Sequence, residues 1–237
     1  MSDEQWQRER RTVITNALSV GAATGAYGIS FGAIAVTGGL SLLQTQVLSA
    51  LMFTGGSQFA LVGVLIGGGG AASAIATSVM LGARNAFYGL RLAPILQVSG
   101  WRRAAAAQLT IDESTAMTLA RDERRFAGRG ARLAFWLTGL SVFVFWNAST
   151  LIGAVSASAI GDPRALGLDA AIPAGFLALV WPRLKDRRSW SIAVGAGLVA
   201  LVLTPFLSPG VPVLAAALVA VVAGVLQVRR PGGGAAS

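Results

Sequence analysis

The chain has no cysteine and no histidine, a single lysine (Lys185), and charged residues at only 12% of its 237 positions. Without cysteine there are no disulfides, thiol nucleophiles or CxxC redox pairs. Without histidine the Ser-His and His-Asp arrangements of most hydrolases are excluded, and so is nearly every zinc site. The sequence therefore predicts a protein that is not an enzyme, with no cofactor and no metal site. The largest absence is local. No Asp, Glu, Lys or Arg occurs between Arg11 and Arg84. Loops of a soluble fold return to water and need charge, whereas a membrane span needs roughly 20 mostly apolar residues.

What is present agrees with an all-α polytopic integral membrane protein. Hydrophobic residues make up 54% of the chain, and the net charge of +9 comes almost wholly from arginine. These arginines sit in short connections between apolar runs rather than in a groove-sized patch, so a lipid bilayer and not nucleic acid is the expected partner. The domain reading is a polar N-terminal segment (1–11), one transmembrane domain (12–228) with a basic connection at 97–130, and a disordered tail (229–237). Apolar segments near 13–38, 44–66, 71–96, 131–157, 166–181, 189–207 and 211–228 predict about seven transmembrane helices. The layout also permits two three-span units of opposite orientation, 13–96 and 131–207, plus a final helix. With seven crossings, 13 basic residues fall on the side of the 97–132 connection, and Arg8, Arg10, Arg11 and Arg164 fall opposite. That distribution predicts an outside N-terminus and an inside C-terminus.

Two stretches interrupt the apolar pattern. The second span carries Thr54, Gly55, Gly56, Ser57, Gln58 and Phe59, and paired glycines weaken a helix by about 1 kcal/mol each. Either the span breaks there and frees backbone groups for a ligand, or the small residues serve close helix packing. The third span carries Arg84, Asn85, Phe87 and Tyr88, with Arg84 and Tyr88 at i and i+4 on one face. An arginine within a span costs about 2.5–3.5 kcal/mol or more and needs a partner or a function. Two acidic positions can answer it. One is Asp112 with Glu113, where Thr110 has the spacing to cap a helix start. The other is Asp169, near the start of the short fifth segment. The residues leave this choice open. The tryptophans mostly mark span ends; Trp146 lies inside the fourth segment, as a candidate cavity wall.

Five short runs, Tyr27–Gly32, Thr54–Phe59, Ala83–Leu90, Leu109–Ser114 and Gly167–Ala170, follow one another in an order and spacing that resembles the AzlC family of branched-chain amino acid exporters. The chain departs from the family pattern in having Ile111 between Thr110 and Asp112, and Asn85 after Arg84. The resemblance implies a multi-pass protein of the bacterial cytoplasmic membrane. It would be a secondary active transporter exporting branched-chain or other small neutral amino acids with a small AzlD-type membrane subunit. The alternative is a non-transporting scaffold or partner subunit. For a zwitterion, Arg84 or N–H groups freed at Gly55 and Gly56 would take the carboxylate. Asp112 or Asp169 would take the ammonium, and Phe59, Phe87 and Tyr88 would line an apolar pocket. Proton coupling is expected, with Asp112, Glu113 and Asp169 as carriers in the absence of histidine.

Overall fold

The computed structural model describes residues 3–122, 128–159, 177, 181, 184–207 and 211–228. Among these there are ten helices and no strand: α1 (Asp3–Thr37), α2 (Leu42–Leu51), α3 (Gly55–Ile66), α4 (Ala71–Gly82), α5 (Arg84–Leu96), α6 (Gly100–Gln108), α7 (Asp112–Asp122), α8 (Arg129–Ala159), α9 (Arg187–Leu203) and α10 (Val211–Val228). The all-helical expectation therefore holds. Only α1 and α8 among the described residues are long and apolar enough to cross a membrane singly. Most of the fifth segment, with Asp169, lies outside the described residues, and so does part of the second unit of the expected repeat.

The frame is a parallel pair, α1 against α8. Gly21 faces Ser141, Gly25 faces Phe145, Gly28 faces Ser149 and Gly32 faces Thr150 and Ala154, so the partners advance in the same direction along both helices. A Cβ added at Gly32 would collide with the Thr150 carbonyl. Such a small-residue stripe lets two backbones touch where lipid gives no hydrophobic incentive to associate.

The second segment does not cross the fold. Ser41 caps α2 reciprocally with Gln44, and α2 runs inward from the end where α1 finishes. The chain breaks at Met52–Thr54, and α3 returns until Ile66 packs beside Gly38, at the C-terminal end of α1. Thus α2 and α3 form a V-shaped hairpin around an apolar cleft of about 820 Å³ lined by Leu40, Leu48, Leu61 and Leu65. The expected break is present, but it precedes the glycine pair, which forms the first turn of α3. Next, α4 packs against α3 and runs inward to Gly82, and Ala83 separates it from α5.

The basic connection folds back into the protein instead of lying outside it. Leu109, Thr110, Ile111, Ser114, Thr115 and Thr118 are all buried. So α6 and α7 form a second hairpin, whose tip packs on α8 where Leu109 meets Gly139. The cap differs from the expected one. The Thr110 hydroxyl donates to the Ala106 carbonyl at the end of α6, while the Ile111 N–H donates to Ser114 Oγ.

The expectation that the N-terminus and the basic connection lie on opposite sides is overturned. Glu9 pairs with Arg121 at 3.3 Å, with only 17% and 7% of the side chains exposed, and the Arg129 guanidinium lies 4.2 Å over the Trp6 ring. Because 44–66 returns on itself, two traverses separate Arg11 from Gln97, one made by α1 and the other by α4 and α5 together. Farther along, Asp186 caps α9 and accepts from the Ser189 N–H at 2.7 Å. That bond holds its carboxyl below the ordinary value of 3.8. The cap therefore contributes at neutral pH and is lost as pH falls through the lowered value.

Single cysteines placed at Arg10 and Arg103, both exposed, report on this geometry in a chain with no cysteine of its own. Both are expected to react with an impermeant thiol reagent from the same side of sealed vesicles.

Candidate functional site

Three helix breaks converge. The break at 52–54 ends α2 and starts α3, Ala83 separates α4 from α5, and 109–111 separates α6 from α7. Arg84, the first residue of α5, joins them. Its Nη2 lies 3.2 Å from Asp112 Oδ2, in the first turn of α7. The same nitrogen is 3.3 Å from where a Cβ on Gly56 would stand, so the absent side chain lets the guanidinium approach the first turn of α3. Of the two acids open to Arg84, Asp112 is its partner here; Asp169 lies outside the described residues.

The electrostatics of this point follow from the helix ends. The N-termini of α3 and α7 bring partial positive charge there, and the C-termini of α2 and α6 at the same breaks bring comparable partial negative charge. Ala83, helical at φ −56°, only kinks α4 into α5, so the guanidinium supplies the one full positive charge. Thr54, extended at φ −154°, makes no side-chain cap to α3, so the N–H groups of Gly55, Gly56 and Ser57 have no intrahelical acceptor. Ser57 is buried next to Gly82, and its hydroxyl has no hydrogen-bond partner among the described residues; neither have Arg84 Nε and Asn85 Oδ1. The N–H groups, the Ser57 hydroxyl and the guanidinium can donate to an anionic group, while Asn85 Oδ1 and the Asp112 carboxylate can accept from a cationic one. The Arg84 and Asp112 side chains keep 37% and 23% exposure, so the pair is open to a ligand.

The other expected residues fall into different positions. Gln58 is fully buried, and its carboxamide joins the limbs of the first hairpin. Nε2 donates to the carbonyls of Met52 (2.6 Å), Ser49 (3.2 Å) and Leu48 (3.4 Å), and Oε1 accepts from Trp146 Nε1 at 2.9 Å. Phe59 packs edge-on to Phe31 and Trp146 behind the break, and Trp146 also lies against Gly55. Tyr88 and Glu113 are half-buried, while Phe87 is 70% exposed and stands outside the packed interior rather than lining a pocket. The apolar cleft between α2 and α3 has no charged lining residue and is separate from the Arg84–Asp112 pair.

Sequence reasoning missed the Gly21–Gly32 stripe and Gln108, whose Nε2 donates to the carbonyls of Ala50 (2.8 Å) and Leu51 (3.3 Å) at the end of α2. The stripe had a readable signal in its spacing of three and four residues. Gln108 had only its position as a polar residue after four alanines.

Replacing Gln58 with Leu removes a donor from the carbonyls of Leu48, Ser49 and Met52, of which Leu48 and Met52 keep a backbone N–H, and breaks the Trp146 bond. At about 1–3 kcal/mol for each buried polar group left unsatisfied, a clear fall in thermal stability is expected in detergent. Phe59→Leu, which removes no hydrogen bond, is expected to lower it less.

Comparison with known proteins agrees with this architecture of motifs. The model of the family described as AzlC protein matches residues 19–160, which include all three breaks. A protein of Bacillus subtilis (strain 168) named branched-chain amino acid transport protein AzlC is 24% identical over 172 residues, covering 72% of this chain and 66% of that protein. The chain thus spans just under two thirds of that relative's length. No solved structure matches it. With more than half of its residues within the family model, the chain belongs to the AzlC family.

Proposed function

We propose that this protein is a secondary active transporter that exports branched-chain or other small neutral amino acids across the bacterial cytoplasmic membrane. One observation carries the reading. An arginine and an aspartate face each other beside the first turn of α3, which has no side-chain cap. An amino-acid zwitterion has both charges needed to insert into that pair. Its carboxylate would take Arg84, the N–H groups of Gly55, Gly56 and Ser57, and the Ser57 hydroxyl. Its ammonium would take Asp112, with the Asn85 carboxamide oxygen beside it. Substrate binding then exchanges one ion pair for two, so neither buried charge is left alone.

Tyr88 shares a helix face with Arg84 and is the proposed contact for the substrate side chain. The name of the Bacillus subtilis relative supports a branched-chain substrate, and the family supports an AzlD-type membrane subunit as partner. We infer proton coupling through Asp112 and Glu113, with Asp169 as the remaining acid. Helix ends at a central site, reached from hairpins on either side, are the arrangement by which many secondary transporters bind ions and substrate.

The test is gradient-dependent flux of radiolabelled leucine, alanine and methionine in vesicles, with and without the partner subunit. Leucine flux is expected to depend on the proton gradient. Arg84→Gln and Asp112→Asn are each expected to reduce it at least tenfold while leaving assembly with the partner intact. A chain that assembles but moves no amino acid under any gradient would be a scaffold.

A further inference from the structure

The cleft inside the first hairpin has a length and a direction. Helix α2 has 10 residues, about 15 Å at 1.5 Å each, which is half of a hydrocarbon core of about 30 Å. Along it the cleft is lined by Gln44 at the mouth, then Leu48, then Met52 at the tip; Leu65 and Leu61 line the opposite limb. The mouth lies beside Gly38, at the end where α1 finishes. Glu9 and Arg121 mark the other end of the fold. The cleft therefore reaches from one membrane face to the interior point where α2 breaks.

Its inner end adjoins the Arg84–Asp112 site. Ser57 stands one turn before Leu61 on α3, so the row of residues lining the cleft leads into the first turn beside Arg84. Met52 ends the row on α2, and its Sδ accepts from Ser78 Oγ of α4 at 3.0 Å. One turn farther along α4, Gly82 packs against Ser57 Oγ. The same edge of α4 thus bounds both the floor of the cleft and the site. The partition is weak where the Met52 side chain forms it, because a thioether is a poor acceptor and methionine adapts readily to new packing. Turning that side chain aside moves no helix, since the Met52 carbonyl stays on Gln58 Nε2.

We propose that the cleft is the passage between the amino-acid site and the membrane face at which α1 finishes, and that the Met52 side chain closes its inner end. The inference rests on the proposed transport function, because the site it serves is the one assigned to the amino acid. A volume of about 820 Å³ holds an amino acid together with water, at about 30 Å³ for each water, so the ammonium and carboxylate stay hydrated on the way. An aliphatic side chain gains contact with the leucines, which an ionised one cannot.

The experiment uses single cysteines in the full-length protein, which has none of its own. Leu48→Cys lies in the cleft. Leu151→Cys, on α8, lies at the same depth outside it, because Ser49 meets Thr150, and Leu151 is itself exposed. An impermeant methanethiosulfonate, applied to sealed vesicles from the side opposite Arg10 and Arg103, is expected to react about tenfold faster with Leu48→Cys, since only a wetted thiol ionises. That modification is expected to stop leucine flux while leucine binding persists, with recovery on reduction. Met52→Trp is expected to lower flux about tenfold with binding retained, and Met52→Leu to stay near wild type. Equally slow reaction at the two cysteines would mean a lipid-filled crevice and overturns the passage. So does full flux after complete modification, or loss of binding along with flux. Unchanged flux in Met52→Trp overturns the role of Met52. If the wild-type protein moves no amino acid, it is the transport reading that fails, and the ratio of the two reaction rates still decides whether the cleft is an aqueous route.

Discussion

The structure is organised by an arginine that the chain cannot leave unpaired. Arg84 starts α5 at the interior point where α4 stops, and a cation at a helix N-terminus opposes the helix dipole. Its stability there requires an acid, and no acidic residue occurs between Glu9 and Asp112 in the sequence. Asp112 can reach Arg84 only if the basic connection leaves the surface and folds inward. That requirement explains the second hairpin, the burial of Leu109 to Ile111, and the close packing of Leu109 on Gly139. The first hairpin meets the same point from the other end, and Gly56 keeps its first turn close to the guanidinium.

The parallel α1–α8 pair supplies the rigid part against which these breaks are held. Its glycine stripe brings two long backbones into contact, and Trp146 projects from it to the break through Gln58. Irregular backbone inside a membrane is tolerated only where side chains satisfy it or where it lines a cavity. Here the two classes separate. The carbonyls at the end of α2 accept from Gln58 and Gln108, whereas the first turn of α3 has no side-chain cap, lies close to Arg84 at Gly56, and carries the unpartnered Ser57 hydroxyl. The satisfied end is structural, and the unsatisfied end is where a ligand would complete the network.

Much of this was legible in the residues. Composition led to an all-helical chain, the glycine pair marked the segment that breaks as one of two readings, and the isolated arginine marked a residue that needs a partner. The topology was not legible, because hydropathy measures length and not direction. A run of 23 apolar residues folded into a V reads the same as one span, and it inverted the expected side of the N-terminus. The choice between Asp112 and Asp169 was likewise out of reach, since it depends on a connection whose arginines make it look like exposed loop. Gln58 was legible only as part of the interruption, because its partners are the neighbouring α2 carbonyls and Trp146, 88 positions away.

The central claim is that Arg84 and Asp112 are separate receptors for the two charges of one amino acid. The most direct measurement is calorimetric binding to the purified protein of leucine, of leucinol, which keeps the ammonium, and of 4-methylpentanoate, which keeps the carboxylate. If the claim holds, leucine binds at least tenfold more tightly than either half-molecule, Arg84→Gln abolishes the advantage over leucinol, and Asp112→Asn abolishes the advantage over 4-methylpentanoate. Equal affinity for leucine and for either half-molecule would contradict it.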